Sequence, residues 1–85
     1  MSDQKTGVDI TLKLFGGFRR CLPPGNEGHA CEVEVPQGAT PAHVLVHYGI
    51  PTEGTVVLVN GLTSTLDLPL HEGDVLAAFP ALAGG

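Results

Sequence analysis

The sequence predicts an α+β roll, with one short helix laid across a mixed sheet of four to five strands. Three observations carry that prediction. Apolar and polar residues alternate through Val8 to Leu14 and again through Ala30 to Val35, the period of strands with one wet face. The segments Thr55 to Val59 and Val75 to Phe79 are apolar almost throughout, as expected of strands inside a sheet. Between these two kinds of segment lies one helical stripe, Val44, Leu45 and Tyr48.

Met1 to Gly7 is polar and is expected to be a mobile leader. Val8 to Phe15 forms the first strand, with Val8, Ile10, Leu12 and Leu14 on the core side. Phe15-Gly16-Gly17-Phe18 breaks the alternation, and Arg19 and Arg20 follow. Cys21 to His29 is a connection rich in Pro, Gly and Asn. The next strand, Ala30 to Val35, turns Cys31, Val33 and Val35 inward and pairs antiparallel with the first.

Pro36 to Ala39 is a turn. Thr40 caps a helix that begins at Pro41, where the fixed φ of proline is favourable. Gly49 suits a C′ position, and Pro51 blocks continuation. A helix of about two turns does not stand alone in water, so it must lie on the sheet. Asn60-Gly61 signals a type I′ hairpin between Thr55–Val59 and a short edge strand, Leu62 to Thr65. Leu66 to Asp74 is a loop with a turn at Glu72-Gly73-Asp74. Val75 to Phe79, the most apolar strand, belongs in the centre. Right-handed crossover rules place the helix on one face, which is a β-grasp arrangement.

The chain divides accordingly into a leader at 1–7, a domain at 8–79 and a C-terminal arm at 80–85. Its 85 residues support one domain with a modest core and little room for an enclosed active site. The net charge of −5, with four Lys and Arg, argues against a nucleic-acid partner and fits a basic protein partner. No segment has the pattern of a signal peptide or the length of a membrane span. The two cysteines, Cys21 and Cys31, do not make a disulfide framework. A cytoplasmic protein with free thiols is expected.

The arm is where chemistry is expected. Pro80 ends the last strand because it offers no N–H to a ladder. Pro80 to Gly85, if extended, reaches roughly 20 Å at about 3.3–3.6 Å per residue. Gly84 and Gly85 lack Cβ atoms and fit a slot too narrow for other residues. Read as the C-terminus, Gly85 presents a free α-carboxylate. Phe79 suits either strand core or an apolar patch that grips a partner. Leu82 stands beyond the strand as an anchor for a groove. Arg19 and Arg20 are either contacts for acidic groups or solubilising charges.

Other candidates are weaker. His43 and His47 stand four apart on the helix, a spacing that two metal ligands can use, but no third ligand matches. A solvated helix face is the expected role, and no metal is assigned. Cys31 has the strand phase of a small buried hydrophobe. An activated Cys21 needs a lowered pKa, for which Arg19 and Arg20 are the only hint. There is no nucleophile–base pair, phosphate loop or carboxylate pair in a recognisable motif, so an independent enzyme is not expected.

Taken in order, Val59-Asn60-Gly61, Leu70-His71-Glu72-Gly73-Asp74-Val75, Phe79-Pro80 and Ala83-Gly84-Gly85 resemble the ubiquitin-like sulfur carriers of the MoaD/ThiS type. These include the small subunit of molybdopterin synthase and the carrier of thiazole biosynthesis. Phe15 followed by Arg19 is similar to the end of their first strand. The likeness runs from Val8 to the end of the chain.

The resemblance implies a ubiquitin-like fold and a reacting carboxylate on Gly85, approached through Gly84. An ATP-dependent partner similar to ubiquitin-activating enzymes would adenylate that carboxylate. Sulfur from a sulfurtransferase or cysteine desulfurase would then replace AMP to give a thiocarboxylate. Catalytic side chains would come from a larger synthase subunit, with Phe79, Pro80, Leu82 and Arg19 meeting partners and no cofactor stably bound. The tail Phe79-Pro80-Ala81-Leu82 is similar to that of molybdopterin-type members, many of which carry a second proline where Ala81 stands. Thiazole-type carriers usually lack the Phe-Pro, and carriers for cysteine biosynthesis share much of this tail. The alternatives are a carrier for thiazole or cysteine biosynthesis, a protein modifier conjugated through Gly85, and an interaction module with an inert tail.

Overall fold

A computed structural model describes residues 7–21 and 30–81, with the side chains of 19–21 excepted. Five strands form one sheet: β1 (Gly7–Leu14), β2 (Ala30–Pro36), β3 (Thr55–Val59), β4 (Leu62–Thr63) and β5 (Val75–Pro80). Their order across the sheet is β2-β1-β5-β3-β4. A 3₁₀ turn, Gly16–Cys21, follows β1, and one helix, α1 (Pro41–His47), lies between β2 and β3. β1 pairs antiparallel with β2 and parallel with β5, and β3 pairs antiparallel with both β5 and β4. The sheet is therefore mixed, with the last strand at its centre. This is the β-grasp architecture the pattern predicts.

The strand phases hold. Ile10, Leu12, Leu14, Leu45, Leu70 and Leu76 are fully buried, and with Val8, Val35, Val44, Val57 and Val59 they make one core between α1 and the sheet. Each such aliphatic side chain contributes about 1.5–3 kcal/mol on burial. Val33 and Tyr48 pack against this core from its margin. Leu70 and Ile50 belong to it too, although both sit in connections without strand or helix periodicity.

α1 is capped as its sequence demands. Thr40 is extended, with φ −115° and ψ 166°, and its hydroxyl accepts the N–H of His43 at 3.3 Å. The imidazole Nδ1 of His43 accepts the N–H of Thr40 at 3.2 Å in return. This is a capping box with histidine in the usual Glu or Gln place. His43 thus fastens the helix start, a role its spacing to His47 does not reveal. Gly49, with φ 77°, ends the helix.

Several strand ends differ from expectation: β1 begins at Gly7, which the sequence assigned to the leader, and stops at Leu14 before Phe15, and β2 runs on to Pro36. β4 is two residues long rather than four, although the N–H of Ser64 still donates to Val57 O at 3.1 Å. β5 includes Pro80 as its last residue, opposite Thr55. Alternation explains why proline is tolerated there. The carbonyl of Ala78 faces β1, accepting from Phe15 N–H, so the backbone of Pro80 faces the same side, where β1 has already ended. The missing N–H interrupts no ladder bond.

Candidate functional site: the exit of the C-terminal arm

The candidate site lies where β5 leaves the sheet. Its last residues are held on both flanks. On one side Ala78 O accepts the N–H of Phe15 at 3.1 Å, and on the other the N–H of Ala81 donates to Gly54 O at 2.8 Å. Backbone anchoring therefore reaches two residues past Phe79.

A 3₁₀ turn stands where the sequence shows only a break in pattern. Gly16 enters it at φ +60°, and a Cβ there would lie 3.2 Å from Pro80 Cγ and 3.3 Å from Cδ. Only a residue without a side chain lets the turn close on the proline ring in this conformation. The functional part of Gly16-Gly17 was hidden because strand and helix periodicity say nothing about a contact some sixty residues away.

Phe79 resolves as a surface residue with a partner inside the domain. It is half-buried, and its ring meets that of Phe15 edge to face, with centroids 5.7 Å apart and planes at 83°. In register, Phe79 is opposite Val56, and Ala77 is opposite Leu58. Leu76, Ala78, Val57 and Val59 belong to the core, so their neighbours Phe79, Ala77, Val56 and Leu58 occupy the other face of the sheet. The result is an apolar strip, half-exposed at Phe15, Phe79, Val56 and Leu58, beside the arm's exit. Val56 and Leu58 are site residues that the continuous run Thr-Val-Val-Leu-Val conceals, because such a run does not say which face is covered.

The Gly-Asp and Asn-Gly motifs are one structure. Asn60 and Gly61, at φ 54° and φ 85°, make the β3–β4 turn. Asn60 Nδ2 donates to Asp74 Oδ1 at 3.0 Å, and Asn60 Oδ1 accepts the N–H of Val75 at 3.0 Å. Asp74 Oδ2 accepts the N–H of His71 at 2.8 Å. The His71 N–H, with the Asn60 amide, holds the Asp74 carboxyl below the usual carboxylate range. Gly73 N–H donates to Asp9 O, and Thr11 N–H to Asp74 O, so the same loop ties the start of β5 to β1. These residues set the register of the strand that carries the arm and touch nothing at its exit.

Of the predicted site residues, Phe79 and Pro80 come together with Phe15 and Gly16 at the exit. Arg19 falls in the adjacent 3₁₀ turn, but its side chain lies outside the described residues, as do Leu82, Gly84 and Gly85. Cys31 is half-buried and free, and burial pushes its thiol pKa up, which disfavours the reactive thiolate. Cys21 also has no described side chain. Among the described residues, no group of three or more His, Cys, Asp and Glu side chains is placed to hold a metal. Nor is any helix among them long and apolar enough to cross a membrane.

A mixed five-stranded sheet gripping one helix, with its last strand at the centre, defines a ubiquitin-like β-grasp protein. The chain belongs to the ThiS family, whose sequence profile matches residues 12–85. Solved structures agree on the fold. The HVO 2177 protein of Haloferax volcanii is 24% identical, with TM-score 0.77, over 100% of this chain and 93% of its own. SAMP1, small archaeal modifier protein 1, of the same organism is 26% identical, with TM-score 0.65, over 91% and 99% of the two chains. A chain in the complex of subunits 1 and 2 of molybdopterin-converting factor from Helicobacter pylori is 16% identical, with TM-score 0.56, over 92% and 100%. Comparison with curated proteins found no match.

Proposed function

We propose that this chain is a sulfur carrier. Its Gly85 carboxylate oxygen attacks the α-phosphorus of ATP in a partner enzyme similar to ubiquitin-activating enzymes, releasing pyrophosphate and forming an acyl adenylate. A carboxylate alone is a poor electrophile, and AMP supplies the leaving group. The persulfide of a sulfurtransferase or cysteine desulfurase attacks the acyl carbon and displaces AMP, and a thiol reductant then cleaves the resulting acyl disulfide, leaving a disulfide and a thiocarboxylate. That group donates its sulfur in a biosynthetic reaction, which we assign to molybdopterin formation. The catalytic side chains come from a larger synthase subunit.

The observation that supports this most is the clamped exit of β5. Ala81 is held to Gly54, Pro80 rests on Gly16, and an apolar strip lies alongside. A carrier needs a rigid body that aims a slender arm and a surface by which a partner recognises the body. The four residues beyond Ala81, extended in a partner, would reach about 13 Å. Phe79, Phe15, Val56 and Leu58 supply the recognition surface, with Leu82 and Arg19 as further contacts. Membership of the ThiS family and likeness to the molybdopterin-converting complex support both the chemistry and the two-subunit arrangement.

Pyrophosphate exchange tests the first step. The activating enzyme should exchange labelled pyrophosphate into ATP when given the full chain, and should not when given a chain lacking Gly84 and Gly85. Equal exchange with both would leave an interaction module as the better reading.

The second reading is a protein modifier joined to lysines through Gly85, favoured by the likeness to small archaeal modifier protein 1. It shares the activation step. Gly-Gly remnants on cellular lysines that disappear when this chain is deleted would establish it.

A further inference from the structure

The sheet has two edges of unequal length. β4 offers two residues, too few to template another strand. β2 offers seven, and among the described residues it pairs only with β1. Between β2 and α1 runs a groove of about 210 Å³, lined by Val35, Pro36, Val44 and Tyr48, with His43 and His47 contributed by α1. That volume is below the roughly 300 Å³ at which small-molecule sites begin. It suits a single apolar side chain.

We propose that the free edge of β2 docks an extended basic segment of another protein. The segment adds as a sixth strand, with backbone hydrogen bonds to β2 and one apolar side chain in the groove. Charge selects its other face. Glu32 and Glu34 are exposed on β2, opposite Thr11 and Asp9, and no described Lys or Arg side chain lines the groove. Strand alternation then calls for Lys or Arg beside the two glutamates and Val, Ile or Leu towards α1. A second copy of this chain fits poorly. Antiparallel pairing of β2 with its own copy would put Glu32 and Glu34 of both copies on one face, and like charges opposite one another are destabilising.

β1 separates this edge from β5, and the groove lies beside Val35 and Pro36, at the end of β1 away from Phe15, so the proposal stands or falls apart from the carrier function. The probe is an N-acetylated, C-amidated heptapeptide, Lys-Val-Lys-Val-Lys-Val-Lys, titrated into the ¹⁵N-labelled full chain. Amide shifts should concentrate in residues 30–36 and 41–48. N-methylating alternate peptide amides in the register that faces β2 should weaken binding about tenfold, the effect of one or two lost hydrogen bonds. The exposed pair E32K/E34K should lose the lysine peptide and gain the corresponding glutamate peptide. Shifts centred on Phe15, Val56 and Phe79, or binding indifferent to N-methylation, would overturn the proposal. So would β2 shifts that grow with protein concentration in the absence of peptide, which would mean self-pairing.

Discussion

The ring of Pro80 rests on the bare Cα of Gly16, so that a Cβ at Gly16 would meet Pro80 Cγ at 3.2 Å. The contact joins the turn after the first strand to the last residue of the last strand. It braces Pro80 at the end of β5, and it makes Gly16 sensitive to a small change near the site.

Gly16→Ala adds a methyl group against Pro80 and forces a non-glycine residue to φ +60°. The left-handed conformation alone costs an L-residue about 1–2 kcal/mol. Chemical denaturation should show a loss of that size. Gly17→Ala, with open space around its Cβ position and no positive φ, should cost well under half as much.

The aromatic pair at the exit should contribute to both stability and recognition. A double-mutant cycle with Phe15→Ala and Phe79→Ala is expected to give a coupling of about 0.5–1.5 kcal/mol, the worth of an edge-to-face pair beyond its burial. The same variants should lower kcat/KM for the activating enzyme more than Leu62→Ala, which removes an exposed leucine from the far edge. Equal effects would place recognition elsewhere.

Much of this was legible in the sequence. Alternation in Val8–Leu14 and Ala30–Val35, the cap at Thr40, and Asn60-Gly61 fix the order and nature of the main elements, because each rests on a local rule. The site was legible only in part. Phe79 and Pro80 are announced by their place before the diglycine. Gly16, Val56 and Leu58 are not, since their roles arise from register between strands far apart in sequence. Leu70 and Ile50 escaped for the same reason: long-range packing buries them without any periodic signal.

Asp74 should make folding acid-sensitive. Its folded-state pKa is lowered, chiefly by the N–H of His71 and then by Asn60. The stabilisation is therefore complete above the unfolded carboxylate pKa of about 3.9 and is lost as pH falls through the lower folded value. Asp74→Asn should flatten the acid limb of the stability–pH curve, measured by urea unfolding between pH 2 and 6. At pH 7 Asp74→Ala should cost about 1.5–3 kcal/mol, as for hydrogen bonds to a charged group.

The helix cap gives a smaller, local effect. Thr40→Ala removes the hydroxyl that accepts from His43 N–H and should destabilise by about 1 kcal/mol. Hydrogen exchange should quicken first at the amides of 42–44, with the strands unaffected. Uniform quickening would mean that the cap acts on the whole fold instead.

The central claim is that Gly85 accepts sulfur, and intact-mass spectrometry reads this directly. After incubation with the activating enzyme, ATP and a sulfur donor, the full chain should gain the mass difference between sulfur and oxygen once, and fragmentation should place it on Gly85. An unchanged mass, from an activating enzyme that charges its own carrier in the same reaction, would contradict the account, as would equal sulfur uptake by a chain lacking Gly85.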